Sequence, residues 1–413
     1  MSHFAREHAR PGHFFAHNTF FDQDMKMKDN NIKINRARML CEFIRLTSFD
    51  SESFNEEKIA GYLKGKLKEL GLKVETDNAG EELSKLSLNG DRPSSNIYAT
   101  LKGNKELPPL LFSAHMDTVK PGRGKKAFLH KDGRITSKED TVLGADDVSG
   151  IVSIIEALSV IRENKLDTGD LEIVFTAAEE PYCLGSRYLL YDRLKSKEGY
   201  VLDLTGPVGR AALAAPSIIS VRILVSGKSA HAGFAPEQGI NALSIAAEAL
   251  TGLKTGRIDE GLTVNFGTII GGRGKNIVPD SVEIEGEVRS LDHGKAVGEV
   301  ERIKEMFEKS ALKFGGKSEV TAVEQIHSFR VSEKSNVVRR LIRAAGEADR
   351  CIKPECIDTF GGSDANRLNE NGIETIVLAC AMEKCHTTEE FTTVEELEKS
   401  AELTLRLMTD GGL

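Results

Sequence analysis

The chain has 413 residues, 40% of them hydrophobic, enough at about 150 residues per domain for two or three domains with a large core, which excludes global disorder. Its 55 Lys and Arg against 63 Asp and Glu give a net charge of −8, a balance that argues against a general nucleic-acid binder. No apolar run reaches the roughly 18 residues of a membrane-spanning helix, and six cysteines without a secretory signal point to reduced cytoplasmic thiols rather than a disulfide scaffold.

Residues 1–31 stand apart. They carry His3, His8, His13 and His17 at spacings that define no closed metal site, and they lack a signal-peptide core. They are expected to form a disordered extension, with Met25 or Met27 as alternative starts. Ordered structure is predicted from Ile32. Helical spacing of apolar residues predicts a helix over 35–47; a second follows Ser53 and is stopped by Gly71. Apolar runs at 96–101 and 109–117 predict strands. A helix over 148–163, a strand over 171–177, a helix over 184–194 and a strand over 200–204 follow. This alternation indicates an α/β domain with a mostly parallel sheet. The pattern changes after Gly206. Residues 217–226 alternate like a half-exposed strand. A helix over 240–253, strands over 262–272 and 281–291, a helix near 295–314 and a strand near 318–326 come next. A helix over 335–348, a strand over 374–381 and a final helix from 394 restore the α/β pattern. The chain therefore reads as a catalytic domain, 32–211 and 329–413, interrupted by an inserted α+β domain, 212–328.

Acidic residues and His gather at the C-terminal ends of the predicted strands, where open α/β sheets carry their sites. His115 and Asp117 close 109–117, Asp146 and Asp147 precede a helix, and Glu179 and Glu180 follow 171–177. Asp203 ends 200–204, and His386 follows 374–381. Singly, each has a structural explanation: an N-cap, a solvated loop, a surface imidazole. Together they would crowd so much negative charge into one crevice that cations are needed to neutralise it. Imidazole with carboxylate suits zinc, or manganese and cobalt as substitutes, and one bridging carboxylate would give a two-metal arrangement.

The segments SAHMDTV, GADDVSG, TAAEE, VLD, SAHAG, NIVPD, GGSDAN and CHTTEE occur in this order. Together they resemble the co-catalytic zinc exopeptidases that include peptidase T, aminoacylase and succinyl-diaminopimelate desuccinylase, and within them the peptidase T-like branch. The resemblance covers nearly all of the chain from about residue 32. It implies that His115, Asp146 and Asp203 bind one zinc, and that Asp146, Glu180 and His386 bind a second, with Asp146 bridging. It makes Asp117 the orienter of His115 through a hydrogen bond. Glu179 becomes the general base for a metal-bridged hydroxide and returns the proton to the leaving amine. The Asp146–Asp147 bond resembles one that is cis in this family. From the inserted lid, His231 would polarise the scissile carbonyl, and Arg289 and Asn276 would hold the substrate's carboxylate, a group guanidinium binds bidentately. Gly361, Gly362 and Ser363 resemble a loop that offers backbone donors to substrate; the structural alternative is a helix N-terminus capped by Ser363 or Asp364.

The sequence departs from the family after Glu180, where a small or aliphatic residue and then Gly are usual. Here Pro181-Tyr182-Cys183-Leu184-Gly185 bears on substrate choice. Cys385 is expected to be a small buried residue beside His386. The resemblance implies a two-zinc exopeptidase on short peptides, a tripeptide aminopeptidase first, that dimerises through the lid and has no nucleic-acid or membrane partner. An N-acyl amino acid deacylase or a carboxypeptidase-type amidohydrolase on the same site is the alternative. A non-catalytic peptide binder would need a broken ligand set, and the five ligand positions and Glu179 are all present.

Overall fold

The computed structural model describes residues 33–409 except Asn89 and Asp349. The extension 1–31, with His3, His8, His13, His17, Met25 and Met27, therefore lies outside the described residues. The first helix, α1 (Arg36–Thr47), starts where the Asn35 side chain accepts from the Arg38 amide, and it buries Met39, Phe43 and Leu46 along one face. Then come α2 (Glu57–Glu69), β1 (Lys73–Thr76), α3 (Ala79–Ser84), β2 (Ile97–Leu101) and β3 (Leu110–His115). A hairpin of β4 (Ala127–Leu129) and β5 (Arg134–Ser137) precedes α4 (Ala145–Asn164), β6 (Leu171–Thr176), α5 (Leu184–Arg187), β7 (Glu198–Leu204) and β8 (Arg210–Ala215). The inserted block holds β9 (Ser217–Ser226), α6 (Ala242–Thr251), β10 (Gly256–Asp259), β11 (Leu262–Gly271), β12 (Ser281–Ser290), α7 (His293–Phe314) and β13 (Lys317–Ile326). The chain ends with β14 (Phe329–Arg330), α8 (Asn336–Glu347), β15 (Glu355–Asp358), α9 (Asp364–Glu370), β16 (Glu374–Ala379), β17 (Phe391–Thr393) and α10 (Val394–Thr409).

The central sheet runs β1-β2-β6-β3-β7-β16-β8-β14, with β15 on β8. Its middle, β6-β3-β7-β16, is parallel, and antiparallel strands flank it. β3 and β6 are buried along their whole length, as both-face burial in a parallel sheet demands, so they read as continuous apolar runs. α4 packs on β3 and β7 and is covered in turn by α1 and α10. The mixed, mostly parallel catalytic sheet with an inserted α+β lid is the architecture the sequence predicts.

The lid is a five-stranded antiparallel sheet, β10-β11-β12-β9-β13. α6 and α7 cover one face and bury Val221, Ile223, Val225, Ile245, Ile284, Ile303 and Phe307. The alternation in 217–226 arises here, because only one face of β9 meets those helices. Among the described residues, no helix is long and apolar enough to cross a membrane.

The expected helix over 184–194 is shorter: α5 ends at Arg187, and Tyr191–Arg193 forms a single 3₁₀ turn. Side chains take the groups that a longer helix would use. Asn96 donates to the Gly185 carbonyl, the Tyr191 hydroxyl donates to the Ser186 carbonyl, and the Leu190 amide donates to the Tyr98 hydroxyl. The Ala-rich β8 has weak strand propensity and becomes a strand only by pairing with β15 and β16.

Candidate metal centre and substrate cleft

The ends of β3, β6 and β7 bring the cluster together. His115 is the last residue of β3, Asp203 is the penultimate residue of β7, and Glu179 and Glu180 follow β6. Asp146 enters from the start of α4, and His386 enters from the loop after β16. Asp146 is the hub. One carboxylate oxygen lies 2.9 Å from His115 Nε2 and the other 3.2 Å from His386 Nε2. His115 Nε2 is 3.8 Å from Asp203 Oδ1, and His386 Nε2 is 3.0 Å from Glu180 Oε2. Two groups result, His115–Asp146–Asp203 and Asp146–Glu180–His386, each with its ligand atoms within 4.8 Å of one another.

These residues fit a divalent metal pair. Glu180 Oε1 is buried and has no hydrogen-bond partner among the described residues, and an unsatisfied buried polar atom costs about 1–3 kcal/mol. Two imidazoles and three carboxylates are the donor types that zinc takes. The electrostatics agree. Burial, then the neighbouring Glu179, pushes the Asp203 carboxyl up, and burial, then Asp146, does the same to Glu180. Against its burial, Asp146 is held below the usual carboxylate range by hydrogen bonds from His115 and His386. Hydrogen bonds to Asp146 and Glu180 push His386 up to about 10. A crevice that resists ionising its carboxylates is one that takes up positive charge.

The Asp146–Asp147 bond is cis. The two carboxylates diverge: Asp147 accepts from the amides of His115 and Gly150, at 3.1 Å each, while Asp146 faces the imidazoles. Asp117 sits differently from expectation. His115 Nδ1 meets the Asp117 backbone carbonyl at 2.9 Å, and the carboxylate oxygen stands off at 3.5 Å. The carboxylate instead accepts from Ser53 Oγ and from the amides of Glu179 and Glu180. It therefore fixes the turn that carries the Glu pair.

Glu179 is buried, its Oε1 accepting from the Cys183 thiol at 3.1 Å, and burial pushes its carboxyl well above the usual range. Around it Ala178, Tyr182 and Cys183, and across the cleft His386, adopt positive φ of 47°, 64°, 54° and 64°. Non-glycine residues in this region persist where surrounding structure holds them, commonly at functional sites. Gly185 is required: a Cβ there would lie 1.8 Å from the Ala177 carbonyl oxygen.

The cleft, about 380 Å³, is lined by both metal groups, Glu179, Tyr182, Arg289 and the loop Gly361–Ser363. Arg289 reaches it from β12. Three of its five N–H donors are engaged, two with Glu287 and one with the Phe360 carbonyl. Ser363 lines the cleft and also caps α9 in a capping box with Asn366. A Cβ at Gly362 would lie 2.1 Å from Ile326 Cδ1, so a side chain there would have to displace the buried end of Ile326. Cys385 is half-buried in the cleft wall. His231 and Asn276 are not brought to this cleft. Both are exposed on lid loops; His231 Nδ1 accepts from the amides of Gly233 and Phe234, and its ring stacks on Phe234 at 4.2 Å.

Two carboxylates were not foreseen. Glu390 accepts from the amides of Gly144 and Asp146, at 2.8 and 2.9 Å, and so holds the backbone of the shared residue; burial pushes it up to about 7. Glu56 accepts from the Ala178 amide beneath Glu179, and burial followed by the Asp117 charge raises it to about 8. Only the second Glu of CHTTEE offered a signal. Its contact lies 244 residues away in the chain, beyond any local pattern.

Residues 213–314 match the M20 peptidase dimerisation domain, and residues 96–248 match peptidase family M28. The chain is 37% identical over 377 residues to the uncharacterized protein YqjE of Bacillus subtilis (strain 168), covering 91% of this chain and 99% of that protein. It resembles the solved structure of aminopeptidase PepT from Bacillus cereus ATCC 10987, at 38% identity over 91% of this chain and 99% of that one, with a TM-score of 0.84. It also resembles a tripeptidase from Staphylococcus aureus subsp. aureus mu50, at 34% identity over 91% and 98%, with a TM-score of 0.86.

Proposed function

Because the chain belongs to the peptidase T-like branch of the M20 metallopeptidases, we propose that it is a tripeptide aminopeptidase working with two divalent ions, zinc or its substitutes manganese and cobalt. The observation that carries this reading is the placing of Asp146 between two imidazoles on the floor of a cleft whose wall holds Arg289. His115, Asp146 and Asp203 would hold one ion, and Asp146, Glu180 and His386 the other. When bound, such a pair supplies Lewis acidity and makes water a nucleophile at neutral pH.

The chain's own residues do the rest. Glu179 accepts the water's proton and later gives it to the leaving amine; its raised affinity for a proton suits both transfers. Asp117 and Glu56 fix the turn beneath it, and Glu390 fixes the backbone of Asp146. Arg289, with two N–H donors left over, reads the peptide's carboxylate while Glu287 and Phe360 hold its plane. Metal-loaded protein incubated with di- and tripeptides and N-acyl amino acids, read by mass spectrometry, tests the assignment. Release of N-terminal residues from tripeptides is expected; turnover confined to N-acyl amino acids would transfer the site to deacylation.

Replacing Arg289 by Ala should lower kcat/KM for free-acid tripeptides by about 10–100-fold, the worth of a hydrogen bond to a charged group. Amidated tripeptides should be equally poor for wild type and variant. Equal cleavage of amidated and free-acid peptides by wild type would remove Arg289 from this role.

Since His231 lies away from the cleft of its own chain and the lid matches a dimerisation domain, we extend the reading to a homodimer in which the partner lid completes each site. Asn276, on the same exposed lid loops, would accompany it as a substrate contact. His231→Ala should then cost about 10²–10³ in kcat, the usual effect of losing an oxyanion donor. Mixing inactive His231→Ala with inactive Glu179→Gln under subunit exchange should restore about a quarter of wild-type activity, because half the dimers are mixed and each has one complete site. Exchange without recovery would place His231 outside the partner's site.

A further inference from the structure

Away from the cleft, one other group of metal-ligating side chains stands together among the described residues. It comprises His293 at the start of α7, Glu324 near the end of β13, and His327 just beyond it. The Nδ1 atoms of His327 and His293 lie 2.8 and 3.9 Å from the same Glu324 oxygen. The imidazoles stack with centroids 4.1 Å apart and 29° between their planes. Ligand atoms of the three residues lie within 4.8 Å of one another, and all three are partly exposed, so an ion could reach them from solvent.

Their place in the fold is specific. The chain crosses between the two sheets twice, from β8 to β9 and from β13 to β14; His327 lies in the second crossing, Glu324 in the strand that leads to it, and His293 approaches both from the start of α7. Ser217 Oγ lies 3.1 Å from His293 Nδ1 and accepts from the Ser328 amide at 2.8 Å. Asn366 Nδ2 donates to the carbonyls of Pro216 and His327, at 3.1 and 2.7 Å, so one side chain clamps both crossings. The same Asn366 accepts from the Ser363 amide through Oδ1 at 3.1 Å. Hydrogen bonds linked through the backbone at 216–217 and 327–328 therefore lead from the histidines to the loop Gly361–Ser363 that lines the substrate cleft.

A surface His–Glu contact is ordinarily a plain hydrogen bond. What separates this one is that two imidazoles from different elements converge on one carboxylate oxygen. Two imidazoles and a carboxylate select copper, nickel and zinc over manganese and magnesium, and three ligands leave room for water.

We propose that His293, Glu324 and His327 bind a divalent transition-metal ion at the lid hinge, separate from the catalytic pair, and that this ion steadies the loop Gly361–Ser363 through Asn366. The probe is Zn²⁺ alone, added by equilibrium dialysis to full-length protein already carrying its tightly held ions. Wild type should take one further equivalent at micromolar free zinc. His293→Gln, His327→Gln and Glu324→Gln should each lack it while keeping the tightly held ions and an unchanged circular-dichroism spectrum. The melting temperature should rise with that equivalent in wild type and not in the variants. Hydrogen exchange in residues 359–366 should slow as the site fills. A further equivalent that persists in all three variants, or that binds only at millimolar zinc, overturns the site. Zinc binding with unaltered exchange at 359–366 overturns the coupling to the cleft.

Discussion

Glu179→Gln is expected to lower kcat by about 10²–10⁴-fold while metal content and thermal stability stay near wild type. The side chain keeps its size, so the buried space beside Cys183 and Asp364 stays filled. What it loses is a proton acceptor, and with it both proton transfers proposed for this residue. The adjacent Glu180 is the internal control. Its Oε2 lies 3.0 Å from His386 Nε2, and its Oε1 has no partner among the described residues, so Glu180→Gln should weaken metal retention. Steady-state kinetics with elemental analysis separates the two. If Glu179→Gln sheds metal and Glu180→Gln retains it with kcat reduced, the roles of the pair are exchanged.

Asp146→Ala should remove activity to background and lower metal content by more than one ion per chain. Its two oxygens face different imidazoles, so both ligand groups lose a member at once. Asp203→Ala and His386→Ala each touch one group and should each cost mainly one ion. The comparison reads the sharing directly: elemental analysis showing the same loss for Asp146→Ala as for His386→Ala would mean that Asp146 is not shared. Chelation of wild type should reproduce the Asp146→Ala phenotype, and added zinc should reverse only the former.

The catalytic elements were legible because parallel strands are buried on both faces. β3, β6 and β7 had to be apolar runs, and a polar residue at their ends had to lie at the sheet's C-terminal edge, so His115, Glu179, Glu180 and Asp203 could be placed from pattern alone. The lid strand β9 was legible for the opposite reason, since one-face burial writes an alternation. Short edge strands such as β1, β14 and β15 carry few residues and no period, and pairing alone makes them strands.

What the sequence determined by itself was residue type and local periodicity: the longer, buried strands and helices, and which candidate ligands stand at their ends. Tertiary structure decided what depends on distance across the fold. It turned the Asp117 carboxylate from His115 to the amides of Glu179 and Glu180, brought Glu390 beneath Asp146, and tied Arg289 to Glu287 and Phe360. It left His231 and Asn276 on exposed loops away from the cleft and stacked His293 on His327 at the crossings between sheets. A hydrogen bond is made only when donor and acceptor come within about 3 Å, and that approach is set by the packing of segments distant in sequence, which no local pattern encodes.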